Sequence, residues 1–482
     1  MTTTPPTPGR DAGDPGLASP TRALRPPALK RVIGPGLLLL FIVGDILGTG
    51  IYALTGKVAE EVGGAAWLAF LIAFAVAVLT ATSYLELVTK YPKAGGAAVY
   101  AHRAFRVQIL TFLVAFAVMA SGLTSASSAA LAFAGNLNEA VGLDLMSRTW
   151  PLIGIALAFI TAVAAVNLRG VSESVRLNVV LTAIELTGLL IVIAIGAWAI
   201  GHGQGDLSRV TEFDTASGES PVRSVTAATA LAFFAMVGFE DSVNMAEETK
   251  DPVRIFPRVM FAGLAVTGLI YVLVSISAVA LVSPEELGEG ETPLLTVVAT
   301  GAPAFPIWIF AFITMAAVAN SALINMLMAS RLVYGMAQEK VVPRALGRVL
   351  PGRRTPWVAI LFTTVLAAGL VAFADLAALG GTTSLLLLAV FTVTNLAVLV
   401  LRRQPVGHAH FRAPTVVPVL GLLSCAFLVS PLSGRADADY RLAGVLLLVG
   451  GGLWLVQRIA GAIASGRSGR RTSRGPGRGR RR

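Results

Sequence analysis

A single cysteine, Cys425, occurs in 482 residues, which excludes an intrachain disulfide and leaves the redox compartment open. Charge is scarce too: 13% of residues are Asp, Glu, Lys or Arg, against about a quarter in soluble globular domains. No G-x-S-x-G, H-E-x-x-H or phosphate-cradling G-x-x-x-x-G-K-[ST] is present, so nothing points to a hydrolase or a nucleotide-driven pump. No enzyme activity, cofactor or metal is expected. His408 and His410 form an H-x-H in a loop, where a solvated pair is the ordinary reading without further ligands nearby. The first thirty residues hold no apolar core followed by a small-residue cleavage site, which argues against a signal peptide.

What the chain does have is apolar residues, 55% of the total, gathered in runs of the length that spans a bilayer core of about 30 Å. In lipid every backbone N–H and C=O must be paired within the protein, so such runs are helices or barrel strands. They do not alternate apolar with polar residues, which leaves helices. Spans are read near 35–58, 65–88, 109–134, 151–167, 177–200, 224–246, 259–282, 304–330, 357–373, 379–401, 414–432 and 441–460. Met326-Leu327-Met328 is read as ordinary lipid-facing or core helix.

Twelve crossings put both termini on one side, and basic residues such as Lys90, Lys93, Arg103, Arg106, Arg254, Arg258, Lys340, Arg344, Arg402 and Arg403 fall at alternate connections. The loop 283–303 instead carries Glu285, Glu286, Glu289 and Glu291 with no Lys or Arg. The positive-inside rule therefore places both termini in the cytoplasm of a multi-pass inner-membrane protein. Residues 1–30 are expected to form a disordered cytoplasmic tail, 31–462 the transmembrane domain, and 463–482 a basic disordered cytoplasmic tail. Gly466–Arg482 supplies eight arginines and no acid, and without it the net charge drops from +11 to +3. That tail suits anionic lipid headgroups. No aromatic interleaving accompanies the arginines, so no nucleic-acid partner is expected.

Two spans carry breaks. The first reads Asp45-Ile46-Leu47-Gly48-Thr49-Gly50-Ile51, and the sixth Phe234-Ala235-Met236-Val237-Gly238-Phe239-Glu240. Glycine unwinds without a Cβ penalty, exposing N–H groups that suit a carboxylate and carbonyls that suit an ammonium. Close helix packing through small residues is the competing reading of one such stretch, and a second at a corresponding place favours the breaks. The match of Gly48, Gly50 and Ala53 to G-x-G-x-x-A follows no strand and is not a dinucleotide site. If the first ten helices form two groups of five, the odd number makes the halves inverted, with a midplane site where the breaks meet.

Intramembrane acids are functional by default. Glu185, mid-helix in the fifth span, costs at least about 2.5 kcal/mol to insert as a charge and must be neutral, paired or facing water. Asp45 either recognises a cationic group or holds the broken backbone. Glu240 and Asp241 either act at the site or cap the helix that follows.

The segments GDILGTGIYALTG (44–56), FFAMVGFED…AEETKDP with Pro257 and Arg258 following, and NSALINMLMASRLVYGMAQEKVVPRAL (320–346) together resemble the amino acid-polyamine-organocation (APC) transporter superfamily over roughly 31–460. The resemblance implies an all-α integral membrane fold of the LeuT type. It would have twelve transmembrane helices in a 5+5 inverted repeat, helices 1 and 6 discontinuous, and two additional C-terminal helices. It implies a substrate carboxylate at Thr49, Gly50 and the Ile51 N–H, an α-amino group at the carbonyls of Ile46, Phe234, Ala235 and Val237, and Phe234 as a cover. Leu47, Gly48 and Gly238 complete the substrate-binding set, and Glu240 matches a gate carboxylate. Proton-coupled relatives commonly carry lysine near Glu185. Glutamate reverses the sign, so Glu185 is read instead as a proton acceptor communicating with Asp45, or as a structural carboxylate. The expected function is secondary, proton-coupled transport of an amino acid by alternating access. A polyamine or amine carrier or a solute exchanger is the alternative within the fold, and an amino-acid sensor or channel the alternative outside it.

Overall fold

Apolar runs of this length form helices because the backbone can be paired nowhere else in lipid, and helices dominate the computed structural model. It describes residues 33–92, 96–143, 150–169, 171–213, 220–246, 249–338, 342–350 and 355–472, with the side chains of 171–176, 457 and 460–472 outside the description. Residues 1–32 and 473–482, the basic residues Lys93, Lys340, Arg353 and Arg354, and Glu247 and Glu248 of the second motif also lie outside it.

Sixteen α-helices follow in order: α1 (Pro35–Ile46), α2 (Thr49–Val62), α3 (Ala66–Lys90), α4 (Gly96–Phe105), α5 (Gln108–Val141), α6 (Trp150–Arg169), α7 (Val171–Gly201), α8 (Pro221–Ala232), α9 (Pro252–Leu281), α10 (Pro284–Gly288), α11 (Pro293–Gly301), α12 (Ile307–Gln338), α13 (Trp357–Phe373), α14 (Leu376–Leu401), α15 (Val416–Val429) and α16 (Asp437–Thr472). Among the described residues there is no sheet, only an isolated bridge between Ile33 and Thr249. Among the described residues nine segments are long and apolar enough to cross a membrane, one of them the 56-residue stretch Pro35–Lys90, and α13 and α15 are shorter apolar helices. The chain is therefore a multi-pass membrane protein. The backbone of α16 continues helically past position 462 to Thr472.

Apolar side chains face outward as well as inward: Leu361, Val365 and Phe373 of α13 are 55%, 63% and 84% exposed. Such a surface is satisfied by acyl chains rather than water. Inside, Tyr84 of α3 and Phe391 of α14 meet edge to face at 5.5 Å, with Phe239 5.4 Å and Phe233 5.9 Å from Phe391. Those rings wedge α3 and α14 against the interrupted stretch after α8. The expected plain acidic loop 283–303 is largely helical, containing α10 and α11; Ser283 caps α10 by accepting a hydrogen bond from the Glu286 N–H, and Pro284 and Pro293 open the two helices.

Candidate functional site

The first interruption lies between α1 and α2. Leu47 is extended at φ −60° and ψ 161°, and Gly48 takes φ 133°, a conformation L side chains rarely adopt. The second follows α8, where a 3-10 turn over Phe233–Met236 gives way to extended Val237, Gly238 at φ 124° and a second 3-10 turn over Asp241–Met245. A Cβ on Gly238 would lie 2.6 Å from the Asp45 carbonyl carbon and 2.9 Å from the Ile46 nitrogen, and one on Gly50 would run into the backbone of Ala235. The two breaks are thus in direct backbone contact, as close as absent side chains permit.

Tyrosines hold the first break from behind. Tyr271 of α9 donates to the Ile46 carbonyl at 2.6 Å, and Tyr52 of α2 donates to the Glu185 carbonyl at 2.6 Å. Ile46, read as an acceptor for substrate, therefore already carries one hydrogen bond, and its second lone pair is what remains. At the second break the Gly238 N–H donates to Glu240 Oε2 at 2.9 Å, so this carboxylate satisfies the unwound backbone directly.

A small cavity, about 30 Å³, opens along the junction. That is room for one or two waters, so anything larger requires its walls to part. Of the residues singled out in the sequence, Asp45, Ile46, Leu47, Thr49, Gly50, Phe234, Val237, Gly238 and Glu240 line it, whereas Gly48, Ile51, Ala235 and Glu185 do not. The other walls include Ser121 and Ser125 of α5, Ser321, Asn325 and Met328 of α12, Thr383 and Leu387 of α14, and Asp241. Met328 thus faces the cavity rather than being ordinary lipid-facing or core helix; helical rotation sets that face, and a Met-Leu-Met run does not reveal it. A signal for α5 did exist: Ser121, Ser125 and Ser128 recur at three- and four-residue spacing in an otherwise apolar helix. No Lys, Arg or His lines the cavity, while Asp45, Glu240 and Asp241 all do.

Three buried polar groups here lack a hydrogen-bond partner: Asp45 Oδ2, Thr49 Oγ1 and both carboxylate oxygens of Glu185. Glu185, fully buried, lies behind the first break, its Oε1 3.4 Å from where a Gly48 Cβ would stand and Ser321 Oγ 3.2 Å from the same point. One turn before it, Thr182 accepts from Asn320 at 3.4 Å. Buried polar atoms are normally paired; others without a partner, such as Tyr100 Oη and the Asn167 amide, lie elsewhere, while these three groups share the junction of the breaks. His408 and His410 stand apart from it, His408 Nε2 lying 3.2 Å from the Thr89 carbonyl. Among the described residues no group of three or more His, Cys, Asp or Glu could hold a metal ion.

The amino acid permease family profile matches residues 37–451, spanning both breaks and every cavity-lining helix. The branched-chain amino acid permease BcaP of Bacillus subtilis (strain 168) is 25% identical over 422 residues, covering 83% of this chain and 88% of its own. The methylthioribose transporter of the same organism is 28% identical, covering 84% and 89%. The vacuolar cationic amino acid transporter 4 of Arabidopsis thaliana is 29% identical, covering 75% and 62%. With interrupted helices joined at a polar cavity and a family match over most of its length, the chain belongs to the amino acid permease family of the APC superfamily and is a transporter rather than an enzyme.

Proposed function

We propose that the chain is a secondary transporter that carries amino acids across the cell membrane by alternating access, driven by protons through Glu185. The observation that carries this reading is the backbone contact between the two breaks, with the orphaned Thr49 hydroxyl and Asp45 carboxylate beside it. Donors at the start of α2 suit a carboxylate, and carbonyls at the ends of α1 and the Phe233–Met236 turn suit an ammonium. Split at its interruptions, the stretch Pro35–Lys90 supplies two crossings, and with α13 and α15 counted the total is twelve. That count supports a 5+5 inverted repeat followed by two further helices, with both termini in the cytoplasm.

Three carboxylates along the cavity and no lining cation favour a substrate bearing an extra positive charge. Cationic amino acids are the first candidates, with polyamines as the second reading; the names of the Arabidopsis relatives point the same way.

Purified protein in proteoliposomes, offered radiolabelled arginine, leucine and putrescine in turn, tests the proposal. Uptake of at least one amino acid should saturate and rise when the outside is acidified, and an imposed sodium gradient should not replace the proton gradient. Glu185→Gln should abolish the acid stimulation while exchange of pre-loaded solute continues. Acid-driven uptake undiminished by that substitution would remove Glu185 from coupling, and single-channel currents would overturn the carrier itself.

A further inference from the structure

The cavity is lined at the first break by Asp45, Ile46, Leu47, Thr49 and Gly50, at the second by residues from Phe234 to Asp241, and otherwise by α5, α12 and α14; no residue of α8 or of α2 beyond Gly50 reaches it. Outside that lining lies α8, and the turn between α15 and α16 meets it with a buried arginine, Arg435, 7% exposed. A guanidinium has five N–H donors in a rigid fork, and here all five are used. Nε donates to the Leu428 carbonyl at 3.3 Å, Nη1 to the Gly381 carbonyl at 2.6 Å and to Asp439 Oδ2 at 3.0 Å, and Nη2 to the Ala230 carbonyl at 3.2 Å and to Ser384 Oγ at 3.2 Å.

Those acceptors sit on four helices. Ala230 is in the last turn of α8, three residues before the broken stretch, where carbonyls lose their helical partners and a cation is favoured. Gly381 and Ser384 flank Thr383, a wall of the cavity. Gly381 has no room for a Cβ beneath the Asp439 carboxylate, and the turn itself bends at Gly434, φ 80°. Thr226 of α8 adds a donated bond to the Ser433 carbonyl at 2.9 Å. Ser384 of α14 also donates directly to the Ala230 carbonyl, and a single side chain from outside the ten-helix core reinforces that tie between the near half of the broken sixth helix and α14.

We infer that Arg435 is a positioning residue of the transport cycle, a latch that ties α8 to α14 and holds the path on its own side of the site closed. Opening that path by moving α8 from α14 leaves a buried guanidinium and its acceptors unpaired, which weights the cycle toward the closed arrangement. The inference rests on the alternating-access reading. The expected topology puts this turn on the outer face.

The test uses Ser125→Cys, in the cavity wall, on a Cys425→Ser background, in intact cells treated from outside with a membrane-impermeant maleimide. Arg435→Gln should raise the labelling rate by about tenfold or more. Asp439→Asn, which removes one partner of the arginine, should raise it less, and Arg435→Lys should lie between parent and Arg435→Gln. Should Arg435→Gln fail to fold, the two milder variants decide. Labelling unchanged in folded variants overturns the latch and leaves the carrier standing. A parent cysteine reached from neither side and unprotected by arginine or leucine defeats the alternating-access reading and the latch with it.

Discussion

Thr49 has a buried hydroxyl with nothing to bond, 1% exposed at the start of α2. Replacing an unpaired buried polar group by an isosteric apolar one costs the fold little, whereas losing a hydrogen bond to a charged guest costs about 1.5–3 kcal/mol. Thr49→Val should therefore leave the thermal unfolding midpoint unchanged or slightly higher and raise the KM for the transported amino acid by about tenfold or more; equal uptake kinetics would remove this hydroxyl from the site. Gly48 and Gly238 behave oppositely. Alanine at either position combines a strained positive φ, about 1–3 kcal/mol, with a collision at Gly238 against the Asp45 carbonyl. Gly238→Ala should cut uptake by about tenfold or more while Gly369→Ala in α13, where an added Cβ meets nothing within 4 Å, is tolerated; comparable losses in both would deny the junction its special role. The glycines were legible because backbone freedom is a property of the residue itself. Asn325 and Thr383 were not, since which helix face meets the cavity depends on packing among helices that their local pattern does not record.

At the scale of elements, the presence of the long apolar runs was readable and their ends less so: α13 occupies 357–373 as expected and α3 begins within a residue of its reading, whereas α9 begins seven residues earlier and α12 ends eight residues later than read. The helices between 283 and 303 were missed because short caps and prolines, rather than length, define them. Long-range pairing of buried charges was equally invisible. Glu86 near the end of α3 receives a two-pronged bond from Arg402 at the end of α14, Nε at 2.7 Å and Nη2 at 2.6 Å, and a third from the Ala413 N–H at 3.2 Å. Their side chains are only 2% and 9% exposed, and Lys90 adds a 2.7 Å bond to the Leu401 carbonyl. Removing one partner of a buried pair costs about 3–5 kcal/mol because the other charge is stranded. Glu86→Gln should lower the unfolding midpoint of purified protein clearly, and Glu86→Leu combined with Arg402→Met should recover much of the loss; additive losses in the double variant would show that the two act separately.

For the whole molecule, orientation follows from charge rather than from packing. Glu289, exposed after α10, and Arg403, exposed after α14, are expected on opposite faces. On a Cys425→Ser background, Glu289→Cys should react with impermeant maleimide in intact cells and Arg403→Cys only after the membrane is opened. The reverse pattern would invert the molecule. The general architecture was readable because a bilayer imposes one solution on apolar chain; the small cavity and its latch were not, because they arise only where distant segments meet.

The bare backbone-to-backbone seating of Gly238 on Asp45–Ile46 and of Gly50 on Ala235 has a mechanical corollary. Contacts this close leave neither partner room for an added methyl. Under the alternating-access cycle proposed above, that seating couples the first and sixth segments, so the gap on one face shuts as the gap on the other forms and no continuous leak for ions is created between them.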